Sequence, residues 1–223
     1  MSETRSAGKR LYDATWGRAF AAYYDRALRA SEEAGLADER HRLLESARGR
    51  TLEIGAGTGL NLRHYPDEVT ELTLSEPDPY MAAGLRRLLA RVTAPIQVVR
   101  APAEELPFDD NTFDTAVATL VLCTVSSPEK AVSELRRVLK PGGTLLFLEH
   151  TRADGDKLAK WQDRLSGVWR FVADGCNCNR DPLSAIVRDF RLEGVHLGTI
   201  PKAVPIVRPM VVGTATAGGD RID

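Results

Sequence analysis

The sequence predicts an α/β fold on a mostly parallel sheet, and three observations predict it. From residue 50 onward short β-rich runs alternate with helix-period stretches, the pattern of strand–helix–strand units. A glycine-rich turn, LEIGAGTGL, follows the first such run directly. Lys140-Pro141-Gly142-Gly143 ends a helical stretch and opens the β run TLLFLEH, because proline does not extend a helix and glycine accepts the left-handed conformation at its exit.

Each element follows in chain order. Trp16, Phe20, Tyr23, Ala27 and Leu28 recur at helical spacing, and a charged helix near 37–47 carries Leu43 and Leu44 and stops at Gly49. Residues 1–48 are thus expected to form an amino-terminal pair of helices acting as a lid, and residues 49–223 the main domain. Strands are expected near 50–54, 70–74, 96–100, 114–120 and 143–149, with helices near 58–64, 78–91 and 128–139 between them. A helical segment near 157–172, the polar turn DGCNCNRDP, a short helix near 182–190 and two terminal β runs, VHLGTI and VRPMVVGTATA, complete the chain. The last two read as a hairpin.

Composition narrows the function. A chain of 223 residues with 43% hydrophobic content can bury one sizeable core. The net charge of −1 and the helical setting of Arg86/Arg87 and Arg136/Arg137 argue against a nucleic-acid surface. The polar start MSETRSAGKR is no signal peptide, and no run reaches the roughly eighteen apolar residues of a membrane span, so a soluble, cytoplasmic protein is expected. Cys123, Cys176 and Cys178 form neither a disulfide framework nor a C-x-x-C spacing, and His41, His64 and His196 have no ligand spacing, so no metal is expected.

The glycine turn carries the most chemistry. A dinucleotide fingerprint needs G-x-G-x-x-G, and Leu60 stands where the third glycine belongs. The chain instead reads Glu53-x-Gly55-x-Gly57-x-Gly59, which lets backbone approach a bulky ligand and leaves N–H groups facing an anion such as a carboxylate. The methionine end of S-adenosylmethionine supplies one. Glu76, 21 residues past Gly55 at the end of the next strand, is spaced to grip ribose hydroxyls.

LEIGAGTGLN, LTLSEPDPYM, APAEELPFDDNTFD, LVLCTVSSP, RRVLKPGG and LEH occur in the order seen in class I S-adenosylmethionine methyltransferases, which the chain resembles. LVLCTVSSPEKAVSELRRVLKPGGTLLFLEH, then Trp161, Trp169 and DGCNCNR, resembles more narrowly the methyltransferase-like (type 7) thiol methyltransferases over most of residues 16–216. The resemblance implies a doubly wound, Rossmann-like seven-stranded sheet closed by the β hairpin, S-adenosylmethionine as cofactor and S-adenosylhomocysteine as product. It gives Glu53, Gly55, Gly57 and Gly59 to the methionine end, Glu76 to the ribose, and Ala103 and Glu104 to the neighbourhood of adenine, with Ala56, Pro77 and Leu120 as further cofactor-binding residues. Pro102 stands where many class I enzymes carry an acid, and the thiol-methyltransferase group shows a similar Ala-Pro.

Methyl transfer from a sulfonium to a thiolate disperses charge, so a dry pocket with aromatic cover suits it. Tyr12, Trp16, Tyr23, Tyr24, Trp161, Trp169 and Phe171 are candidates for that cover, with ordinary core packing as the alternative. Cys123 is expected to line the pocket, and Asp174, Cys176 and Arg180 to close the acceptor side, Arg180 pairing with Asp174, or else to form a structural turn. His150, at the end of the fifth strand, is the candidate general base. The expected acceptor is a small molecule, foremost a thiol or hydrogen sulfide. A lipid headgroup amine, a quinone or a specialised metabolite is the alternative, and a cofactor-binding regulator without turnover is the reading from another class.

Overall fold

The computed structural model describes residues 18–90 and 95–218, with side chains from residue 23. Tyr12 and Trp16 lie outside the described residues. The elements run α1 (Arg18–Ser31), α2 (Ala37–Leu44), β1 (Gly49–Ile54), β2 (Val69–Ser75), α3 (Pro79–Leu89), β3 (Ile96–Val99), β4 (Phe113–Thr119), α4 (Pro128–Val138), β5 (Leu139–His150), α5 (Asp156–Val172), α6 (Pro182–Asp189), β6 (Arg191–Thr199) and β7 (Pro209–Thr216).

The seven strands lie in the order β3-β2-β1-β4-β5-β7-β6. β1 through β5 pair in parallel, while β7 inserts antiparallel between β5 and β6, which makes the terminal hairpin the closing edge. Successive strands leave β1 in one direction and β4 in the other, so the crossover reverses between β1 and β4, and a crevice opens at their carboxyl ends. Alternation along β5 shows how both faces are filled. Leu145 and Phe147 pack with Ala131, Val132, Leu135 and Val138 of α4, while Leu146 and Leu148 pack on the opposite face with Leu43 and Leu44 of α2.

Helix starts obey local chemistry. Asp78 accepts hydrogen bonds from the N–H groups of Tyr80 and Met81 ahead of α3, Ser127 from Lys130 ahead of α4, and Asp181 from Leu183 and Ser184 ahead of α6, each with proline in the first turn. Two expectations change. No α-helix occupies 58–64; the chain makes turns and one 3-10 turn at Leu62–His64, because Gly57 and Gly59 hold positive φ angles of 55° and 87°. The Pro141-Gly142-Gly143 stretch sits within β5 as a bulge, Gly142 at φ 76°, rather than separating a helix from a later strand.

The amino-terminal helices meet at a kink, Gly35 at φ 124°, and are tied to the sheet by a buried polar chain. Arg40 donates to Glu32 Oε1 and to Asn61 Oδ1, both at 3.0 Å. Asn61 Nδ2 donates to Glu53 Oε1 at 3.0 Å and to Thr119 Oγ1 at 2.9 Å, and the Tyr65 hydroxyl donates to Glu53 Oε2 at 2.7 Å. Burial nevertheless raises Glu53 to about 7, above the offsetting hydrogen bonds from Tyr65 and Asn61. A carboxyl that binds its proton more tightly when folded stabilises the fold at low pH, and that contribution disappears as pH rises through about 7. Glu53→Gln should therefore reduce the loss of stability between about pH 4.5 and pH 7 by up to about 3 kcal/mol. Denaturant titrations at several pH values check this, and an unchanged pH dependence would count against it.

Candidate active site

The glycine turn begins where β1 ends. Gly55 has φ 60°, and a Cβ there would come within 2.2 Å of Val121 Cγ2; at Gly59 a Cβ would meet Leu62 and Leu85 at 2.8 Å. These two glycines let neighbouring loops close-pack. Gly57, at φ 55°, has nothing nearer than 3.9 Å to its missing Cβ, which leaves backbone open toward the crevice. Its N–H donates to Glu76 Oε2 at 2.7 Å, while Glu76 Oε1 accepts from Asp78 N at 2.8 Å. Burial raises the pKa of Glu76, opposed by these two amides.

Helix α1 lies over this turn. Asp25 accepts a hydrogen bond from the Thr58 hydroxyl, and Tyr24 lines a cavity of about 20 Å³ together with Glu53, Gly55, Gly57, Asn61 and Thr119. That space holds about one water. A larger cavity, about 350 Å³, lies between α2 and β6/β7, away from the strand tips. Tyr23 is 58% exposed, so it is Tyr24, its neighbour in the sequence, that faces the turn. On the adenine side of the expected site, Ala103 is buried in the core, and Glu104 Oε1 accepts from the amides of Ser126 and Ser127. Pro77 lies between Glu76 and the capping Asp78, and Ala56 is buried behind the turn.

The tip of β4 is the second centre. Leu120 holds a left-handed φ of 53°, and the next two amides, of Val121 and Leu122, donate to Glu149 Oε1 at 2.9 Å each. Glu149 is fully buried, and burial lifts it to about 7 despite those amides. The DGCNCNR turn is stapled onto this loop. Asn177 donates its backbone and side-chain N–H groups to the Cys123 carbonyl at 2.9 and 3.1 Å. Arg180 Nη1 reaches the carbonyls of Leu122, Cys123 and Val125, rather than Asp174 as expected, because that loop exposes three acceptors along one edge. Asp174 and Gly175 turn the chain with φ 45° and 93°.

The stapling brings three reactive side chains together. His150 Nε2 lies 3.0 Å from Cys176 Sγ, Trp169 Nε1 donates to the same sulfur at 3.3 Å, and the ligand atoms of Cys123, His150 and Cys176 all fall within 4.8 Å of one another. The expectation of no metal-ligand set rested on spacing along the chain, which does not register residues brought together by folding. The hydrogen bond with Cys123, then those with His150 and Trp169, lower Cys176 to about 5 against the effect of burial. The Cys176 contact, with burial, raises Cys123 well above an ordinary thiol. Burial alone would lower His150, but its hydrogen bond to Cys176 raises it. Trp161, on another face of α5, is 55% exposed and stands apart from this cluster.

Several organising residues escaped the sequence reading: Arg40, Asn61, Glu149 and Gln162. Gln162, fully buried, donates to the carbonyls of Thr151, Cys178 and Ile206 and accepts from Ala153 N. Glu149 carried a signal, an acid ending the apolar run TLLFL. Gln162 carried none, since a glutamine on a helix ordinarily faces water.

A methyltransferase-domain family model matches residues 52–147. The human thiol S-methyltransferase TMT1B is 38% identical over 134 residues, 58% of this chain and 54% of that protein. The human thiol S-methyltransferase TMT1A is 34% identical over 171 residues, 74% of this chain and 69% of that protein. The chain thus spans about half the length of TMT1B and about two thirds of TMT1A. Among solved structures, a methyltransferase of Thermotoga maritima described as a possible histamine N-methyltransferase superposes with a TM-score of 0.65 at 22% identity, covering 90% of this chain and 97% of that one, a likeness of fold. With this overlap, the strand order and the glycine turn, the chain belongs to the class I S-adenosylmethionine-dependent methyltransferases, close to the thiol S-methyltransferases.

Proposed function

We propose that the protein transfers a methyl group from S-adenosylmethionine to the sulfur of a small thiol or of hydrogen sulfide, releasing S-adenosylhomocysteine. The observation that carries this reading is the convergence of LVLC, LEH and DGCNCNR: Cys123, His150 and Cys176 meet beside the crevice that begins at the glycine turn. A sulfur-rich, buried wall is soft and polarisable, which favours a sulfur acceptor over a hydrated amine. The relatives TMT1A and TMT1B, named as thiol S-methyltransferases, support the same acceptor class.

The cofactor fits the residues present. The open backbone at Gly57 leaves room for a bulky group, and the buried Glu76, oriented by the amides of Gly57 and Asp78, supplies the acceptor for ribose hydroxyls. Ala103 and Glu104 are assigned the adenine side, with Leu120 and Pro77 flanking. When bound, S-adenosylmethionine contributes an electrophilic methyl group on a sulfonium. The chain's part is to orient the acceptor and exclude water. A free thiol is already a few per cent thiolate at neutral pH, so complete ionisation is worth about 2 kcal/mol, whereas positioning contributes about 7–11 kcal/mol. His150 Nε2 stands beside the acceptor wall, 3.0 Å from Cys176 Sγ. Ligand pockets of this kind occupy about 300–1,000 Å³, far more than the cavity under Tyr24, so α1 acts as a lid that must move for binding. No helix among the described residues is long and apolar enough to cross a membrane, and three free cysteines accord with a cytoplasmic location as part of this reading.

Incubation with methyl-labelled cofactor and matched panels of thiols, amines and quinols should label thiols preferentially. Labelling of amines or quinols alone overturns the acceptor assignment, and cofactor binding without any transfer points to a regulator. Glu76→Ala should weaken cofactor binding by about tenfold to a hundredfold, as expected for lost hydrogen bonds to a charged group. Calorimetry measures it, and unchanged affinity removes Glu76 from the ribose role. Cofactor binding should also alter amide exchange in α1; identical exchange rates with and without cofactor would contradict the lid.

A further inference from the structure

We propose that Cys123 Sγ, His150 Nε2 and Cys176 Sγ form a three-ligand zinc site whose fourth position receives the sulfur of the acceptor. The donor set is the first argument. Two thiolates and an imidazole suit zinc, and three protein ligands with one open position are the arrangement of a zinc ion that works on a substrate rather than one that only braces a fold. Geometry is the second. Tetrahedral coordination at ordinary bond lengths puts sulfur and nitrogen about 3.6 Å apart and two sulfurs about 3.8 Å apart. Here the Cys176 sulfur and His150 nitrogen stand 3.0 Å apart and all three atoms lie within 4.8 Å, so small side-chain shifts admit the ion.

The surroundings are built as an outer shell. Trp169 donates its indole N–H to Cys176 Sγ at 3.3 Å, a hydrogen bond that steadies a ligand sulfur. Asn177 and Arg180 clamp the two cysteine-bearing loops through the Cys123 carbonyl. The ligands come from three separate segments, after β4, at the end of β5 and after α5, each already fixed by hydrogen bonds.

The fourth position extends the thiol reading above and rests on it. An incoming thiol binds as its thiolate: the S–H bond breaks, the proton passes to solvent, the sulfur lone pair bonds to zinc, and no electron changes hands. This holds the acceptor ionised at neutral pH without a separate base.

The test uses the full chain, purified under reductant, given equimolar zinc and dialysed against metal-free buffer before elemental analysis. About one zinc per chain is expected. Cys123→Ala, His150→Ala and Cys176→Ala should lose it, with Cys176→Ser as the milder variant. Trp169→Phe should weaken zinc binding by about tenfold, and Cys178→Ala should retain full stoichiometry. Cobalt(II) in place of zinc should give thiolate-to-metal charge-transfer and tetrahedral bands that intensify when ethanethiol is added. No retained zinc, or equal retention in the ligand variants, overturns the site. Cobalt bands indifferent to ethanethiol overturn the acceptor position. A thiol-responsive cobalt spectrum with no methylation of any thiol instead sinks the S-methyl transfer reading and leaves the metal site standing.

Discussion

Three carboxylates buried at strand tips organise the upper edge of this sheet. Glu53 is the last residue but one of β1, Glu76 follows β2 and Glu149 is the last but one of β5, and each is within a few per cent of complete burial. A carboxylate in that position must recruit donors or surrender its charge. The donors come from the loops that form the site. Asn61 and Tyr65 bond to Glu53, the amides of Gly57 and Asp78 to Glu76, and those of Val121 and Leu122 to Glu149. The loops are therefore shaped from beneath by the strands, and the side chains they carry inherit their positions from these bonds. Val121, fixed by Glu149, in turn dictates that residue 55 be glycine.

The amino-terminal helices join the same system through Arg40. Arg40 is buried, and its guanidinium spans Glu32 on one side and Asn61 on the other. A pair so sequestered adds little net stability over an apolar substitute, yet removing one partner strands a charge. Its effect is geometric: it fixes α2 against the glycine turn, while α1 continues across the Gly35 kink and meets the same turn through Asp25 and Tyr24.

Much of this could be read from the sequence. Leu52, Ile54 and the short apolar runs in β4 and β5 announced central strands, and proline beside an acid or serine marked three helix starts. Glu53 and Glu76 were legible because their spacing from the glycines is tied to the geometry of a strand, a turn and a second strand. The stretch after Gly59 misled because its periodicity suited a helix that the left-handed glycines prevent. Cys123, His150 and Cys176 were each expected at the acceptor side, but their meeting as one cluster was illegible for a different reason: they are brought together by Asn177, Arg180 and Gln162, contacts made across loops, where no period links one residue to the next. Tyr23 and Tyr24 differ by one position, which on a helix is a rotation of about 100° that sequence pattern alone does not fix.

The grip of Arg180 on the Leu122, Cys123 and Val125 carbonyls carries a consequence for how this enzyme family can diversify. Carbonyl oxygens are the same whatever side chain they accompany, so the clamp is blind to the identities of residues 121–125. Val121, Leu122 and Cys123 are held by their own burial, so the latitude falls to the exposed Thr124 and the half-buried Val125. At those two positions one guanidinium keeps the loop in register whatever side chain stands there, and the outer edge of the loop can change without renegotiating the fold.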